Sequence, residues 1–253
     1  MRALAAAFAV LALALPARAE SSAYYETEHV SRTVALEPGG TLQVKNFSGR
    51  VTITGSDRSE VVVEAVRRAP RSRLDRIKLD VHTSGSTVVV VDANQRDSSW
   101  WGFGSGTNIV ETELDIKVPR KTQLDVSVFS SPVTVEGVEG AHKLHGFSSR
   151  LTLNDVAGPV RAKTFSGSVS IREKSWADNP SIDVETFSGG IDLRVTDATR
   201  GTVSFNSFSG HLSSDVPLTM HSSSRRSVRA ELGGGGGGTL RFKTFSGSVK
   251  IDR

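Results

Sequence analysis

Ile182-Asp183-Val184-Glu185-Thr186-Phe187-Ser188-Gly189-Gly190-Ile191-Asp192-Leu193 carries two short strand patterns with a break of phase between them. Apolar residues alternate before and after Phe187, the mark of a strand with one buried face. Val184, Thr186 and Ile191 are all expected to point inward, yet Thr186 and Ile191 lie an odd number of positions apart. The Phe-Ser-Gly turn must therefore reset the pleat, as a corner does. Glycine supplies backbone freedom there, serine can bond nearby backbone, and a small residue before the Phe fits the inner bend.

The same turn occurs seven times, at Phe47, Phe129, Phe147, Phe165, Phe187, Phe208 and Phe245. From Phe129 the steps are 18, 18, 22 and 21 residues, and the last is 37. That last gap reads as two steps, with a degenerate copy built from Leu218, Met220, Ser222-Ser223, Val228 and Ala230. Periods near twenty residues indicate repeats that bury their apolar sides only by stacking on one another. The seven phenylalanines are expected to form a structural ladder at one corner, spaced by roughly the 4.8 Å between strands. Replacing Phe165 by Ala is then expected to cost roughly 3–5 kcal/mol if the ring is buried.

Residues 1–19 read as a secretory signal peptide. Arg2 opens a positive region, an apolar run follows from Ala3 to Leu15, and Ala17 and Ala19 form a cleavage site, so the mature chain begins at Glu20. The cleavage site lacks a cysteine, so no lipid anchor is expected, and no second apolar run suggests a transmembrane anchor. Export places the protein in the periplasm or outside the cell. The chain contains no cysteine, so its stability rests on the stacked core. The formal charge of +4 falls to +2 without Arg2 and Arg18, which disfavours a nucleic-acid partner. Arg67, Arg68, Arg71, Arg73 and Arg76 form one local basic cluster, read as a solvated loop or as a contact for anionic envelope polymer.

Residues 20–119 form a less regular β portion and 120–253 the regular repeats. Thr83-Ser84-Gly85 reads as the same frame with Ser84 in the Phe position. A long loop, 92–108, interrupts the first portion and holds Trp100, Trp101 and Phe103 among glycines. It is expected either to cap an exposed core end or to contact a partner. The fold class expected is thus all-β: a right-handed, single-stranded parallel β-solenoid or β-helix-like stack with a less regular N-terminal portion.

Several stretches carry a family resemblance. They are His29-Val30-Ser31-Arg32-Thr33-Val34, Pro38-Gly39-Gly40-Thr41-Leu42-Gln43-Val44, Gly49-Arg50-Val51-Thr52-Ile53-Thr54-Gly55, Val61-Val62-Val63-Glu64-Ala65 and Val118-Pro119-Arg120 with the units that follow. Over most of residues 29–253 the chain resembles the bacterial DUF4097 family of adhesin-like β-strand-repeat proteins. The family more often has Asn-Gly or Ser-Gly with a valine where this chain has Phe-Ser-Gly, a departure that touches corner packing rather than topology. The resemblance implies a secreted or envelope-facing β-solenoid and supplies no catalytic residues to transfer.

Catalytic and metal chemistry finds little footing. His142 and His145 are three apart and would face opposite ways on a strand. The six glycines 233–238 precede a strand pattern, whereas a phosphate cradle precedes a helix. Asp183, Glu185 and Asp192 could form an outward carboxylate cluster. No cofactor is expected. Two functions remain: a non-catalytic envelope protein that binds, adheres to or scaffolds a polymer or protein, and a carbohydrate-active lyase or hydrolase on a β-helix. A groove lined by carboxylates and aromatics on adjacent rungs would favour the enzyme.

Overall fold

The computed structural model describes residues 25–96, 109–174, 181–224 and 226–253. Its strands, in chain order, are β1 (Tyr25–Ala35), β2 (Thr41–Ser48), β3 (Val51–Ser56), β4 (Glu60–Pro70), β5 (Ile77–Ser84), β6 (Val88–Arg96), β7 (Glu111–Pro119), β8 (Gln123–Ser130), β9 (Val133–Glu136), β10 (His142–Ser148), β11 (Leu151–Val156), β12 (Val160–Ser166), β13 (Val169–Glu173), β14 (Ser181–Ser188), β15 (Ile191–Arg194), β16 (Gly201–Ser207), β17 (Leu212–Ser214), β18 (Leu218–Ser223), β19 (Ser227–Leu232), β20 (Thr239–Ser246) and β21 (Val249–Asp252). One short helix, α1 (Arg71–Leu74), follows β4.

The protein is all-β, and the strands lie in two large mixed sheets that are not closed into one coil. Each Phe-Ser turn carries the chain from one sheet to the other, so a repeat contributes one strand to each. The first sheet runs β1-β4-β7-β3-β9-β11-β13-β15-β21-β17, and the second β18-β19-β16-β20-β14-β12-β10-β8-β2-β6-β5. Seven two-strand rungs are thus stacked in parallel, from β2–β3 to β16–β17.

Alternation explains the core. Leu124, His142, Val160, Ile182 and Leu240 occupy one inward column of the second sheet, and Val126, Leu144, Ala162, Val184 and Phe242 the next. Val133, Leu151, Val169, Ile191 and Val249 line the facing sheet. Apart from His142 these residues join one buried apolar cluster. Val184, Thr186 and Ile191 are all buried, so the corner does reset the pleat.

Four readings are corrected. Thr83-Ser84-Gly85 is not a corner: β5 and β6 are antiparallel partners, and the segment is the hairpin turn between them. The supposed degenerate repeat at 218–230 is also a hairpin, with β18 antiparallel to β19 and β19 antiparallel to β16. The last rung in sequence is not the last in space, because β20 lies between β14 and β16. Residues 67–73 are not a loop: β4 runs to Pro70 and α1 begins at Arg71. In the segment read as an interrupting loop, β6 continues from Asp92 to Arg96, and 97–108 lie outside the described residues.

Candidate interaction surface

The corner is built by close approach between rungs. A Cβ on Gly189 would meet the Gly167 carbonyl oxygen at 1.9 Å, and one on Gly247 would meet that of Gly189 at 2.1 Å. Glycine is required there by the neighbouring backbone. In the copy around Phe147 the order is reversed: Gly146 precedes the ring and buried Ser149 follows, and a Cβ on Gly146 would meet that of Ser149 at 2.8 Å. The buried hydroxyl before the ring serves the bend. Thr186 Oγ1 donates to the Gly189 carbonyl at 3.2 Å, and Thr244 Oγ1 to that of Gly247 at 3.0 Å. Corner carbonyls that a sheet ladder cannot reach are so satisfied.

With the preceding residue held inside, the pleat turns each phenylalanine outward. The rings stack in the order Phe47, Phe129, Phe147, Phe165, Phe187, Phe245 and Phe208, with centroids 4.7–5.0 Å apart and planes within 6° of parallel. Six of the seven are 43–54% exposed. The cost of truncating a fully buried ring therefore does not apply to Phe165, whose edge faces solvent while its faces lie against Phe147 and Phe187. Rings at this exposure leave an apolar stripe on the order of 600 Å². A patch of that size stands at the upper end of what a monomer surface exposes. The Arg226 guanidinium covers one end, 4.5 Å from the Phe208 centroid.

A second column runs beside the rings, two residues earlier on each strand: Lys45, Ser127, His145, Lys163, Glu185, Lys243 and Asn206. Shallow grooves of about 430 and 480 Å³ lie between column and ladder and share His145 and Gly146. Lys163 pairs with Glu185 at 3.0 Å, and this hydrogen bond holds the Glu185 carboxyl below its usual range. Burial, and next the Lys143 ammonium, lower His145. Sequence reading missed this flanking column, although its constant offset from each phenylalanine was visible.

The other sequence-derived candidates are distributed elsewhere. Trp100, Trp101 and Phe103 lie outside the described residues. Asp183 and Glu185 share β14, but Asp192 sits on β15 in the other sheet, so the three carboxylates form no cluster. Asp183 lies 3.8 Å from Arg241. The arginine cluster is engaged within the fold. Buried Arg67 bonds Glu28 and the Ile77 carbonyl, Arg68 pairs with Glu113 at 2.7 Å, and Arg71 with Glu26 at 3.2 Å. Among the described residues no group of three or more His, Cys, Asp or Glu could hold a metal ion, and no helix is long and apolar enough to cross a membrane. His142 is buried, whereas His145 faces the ladder groove.

No family model and no curated protein matches the chain. Among solved structures, a protein of Clostridium sporogenes provisionally named as a cell adhesion protein aligns with a TM-score of 0.53 and 10% identity, over 89% of this chain and 99% of that one. Proteins of Bacteroides fragilis and Parabacteroides distasonis provisionally named as adhesins align with TM-scores of 0.43 and 0.39. Their identities are 10% and 9%, over 88% of this chain and 97% of each of theirs. The first likeness is one of fold, and the two weaker ones carry no argument.

Proposed function

We propose that this chain is an exported, non-catalytic binding protein of the bacterial cell envelope that docks its partner along the phenylalanine ladder. The observation that carries this reading is the ladder itself: a straight row of exposed aromatic edges maintained through seven rungs. Packing alone does not need exposed phenylalanine, since any corner residue that tolerates stacking would serve. A name in the Clostridium sporogenes protein that refers to cell adhesion points the same way. Membership of the DUF4097 family, a right-handed coil of the parallel rungs, and a periplasmic or extracellular location belong to the same proposal. An envelope polymer or protein is the partner, and Trp100, Trp101 and Phe103 are offered as a further contact. The carbohydrate-active alternative draws no support from the ladder grooves, where Glu185 is the lone carboxylate and is tied to Lys163, and a groove of about 540 Å³ that Glu64, Glu113 and Asp115 line carries no Phe, Tyr or Trp.

The test is a triple substitution, Phe147→Asn, Phe165→Asn and Phe187→Asn, because stacked asparagines suit a repeating corner. Retention of the purified chain on an envelope fraction is expected to fall at least about tenfold, with the β-sheet circular dichroism unchanged. Equal retention by a folded variant would remove the ladder from the function. N-terminal sequencing of the protein from its host checks export, with Glu20 expected as the first residue.

A further inference from the structure

We propose that the ladder is covered by the ladder of a second copy of this chain, the two lying antiparallel about a two-fold axis through Phe165. The inference rests on the reading of the ladder as an interaction surface and names one occupant for it. Three observations support it.

The first is the repeat. Ring edges every 4.7–5.0 Å match a surface of the same period, and a second ladder has it by construction. An extended peptide rises about 6.8 Å per two residues and falls out of step. A sugar ring stacks on an aromatic face, and in the ladder those faces are turned to one another. The second is area. The exposed rings supply on the order of 600 Å², most of the roughly 800 Å² that each partner gives to a stable interface, and the adjoining lysine stems supply more.

The third is the absence of like-charge clashes along the flanking column. Phe165 is the middle ring, with three on either side. Reversing the flanking column about it sets His145 opposite Glu185, Ser127 opposite Lys243 and Lys45 opposite Asn206. Only Lys163 meets its like, and it is already held 3.0 Å from its own Glu185. Apart from Lys163, no like charges of the column then face each other, which permits an isologous contact.

The absence of cysteine makes the register directly testable. Sedimentation equilibrium of the purified chain is expected to show a monomer–dimer equilibrium that Phe165→Asp weakens at least about tenfold. Under oxidation Ser166→Cys, at the centre, is expected to give a covalent dimer. Ser48→Cys alone is expected to give none, but to cross-link when mixed with Ser209→Cys, its opposite. A monomer at every concentration overturns the proposal, and so does a dimer in which Ser48→Cys links to itself. A monomer that still needs the ladder for envelope retention overturns the second copy and leaves the docking function standing. A ladder-dependent dimer without envelope retention does the reverse.

Discussion

Two buried titratable side chains interrupt the apolar columns. Glu173 is paired in register with buried Val156, and buried Val138 and Val195 close the rungs on either side. Its Oε1 has no partner, and burial pushes its carboxyl up to about 8. His142 stands in the column of Leu124 and Val160; its ring nitrogens face the Ala157 and Val138 carbonyls without reaching hydrogen-bond geometry. Burial pushes it down to about 4. The signs oppose. The Glu173 contribution is full below the ordinary carboxyl value of 4.5, is lost as pH rises towards 8, and is absent above. The His142 contribution is full above 6.5 and is lost as pH falls towards 4. Glu173→Val completes a valine column and is expected to stabilise the protein at pH 9 by up to about 4 kcal/mol, with the gain vanishing near pH 4. Denaturant unfolding at the two pH values checks it. At the corner, Gly189→Ala sets a methyl against the Gly167 carbonyl and is expected to cost more than about 2 kcal/mol, read from the same unfolding curves. The need for glycine was legible in the repeated turn. Its cause, the neighbouring carbonyl, was not, because it belongs to a residue 22 positions away.

At the scale of the strand, alternation told which residues face inward but not which strand lies alongside or in which direction it runs. A hairpin and a rung both alternate with period two. Hence 77–91 and 218–230 read as rungs and fold as antiparallel pairs. Met220, half exposed, shows that an apolar residue in phase need not be buried. The 37-residue step before Phe245 held the real signal, an excursion through β18 and β19 before the chain returns to the stack. Because β20 returns between β14 and β16, deletion of residues 239–253 removes an internal rung. Hydrogen exchange is expected to show loss of protection in both β14 and β16, whereas loss confined to one sheet edge would contradict this order.

Across the whole molecule, composition and repeat announced an all-β stack without cysteine, and the structure has that character. The sorting of the strands into two sheets was not legible, since a corner that resets the pleat does not say which strand lies alongside. The ladder was visible as seven phenylalanines, but its exposure was not. That follows only once the preceding Thr, Ser, Asn, Gly or Val is known to take the inner place. The docking function proposed for the ladder is therefore a product of register, which single-sequence reading does not supply.

The placement of the β20–β21 rung also has a consequence in time. A chain made from its N-terminus delivers β14 and β16 before the strand that belongs between them. Until residues 239–253 arrive, those two strands have open edges facing a gap one strand wide. The sixth ring of the ladder in space is the last to be delivered. The nascent protein must either hold that slot open or first close it wrongly and then reopen it, so the row of rings becomes continuous only when β20 enters between its two neighbours.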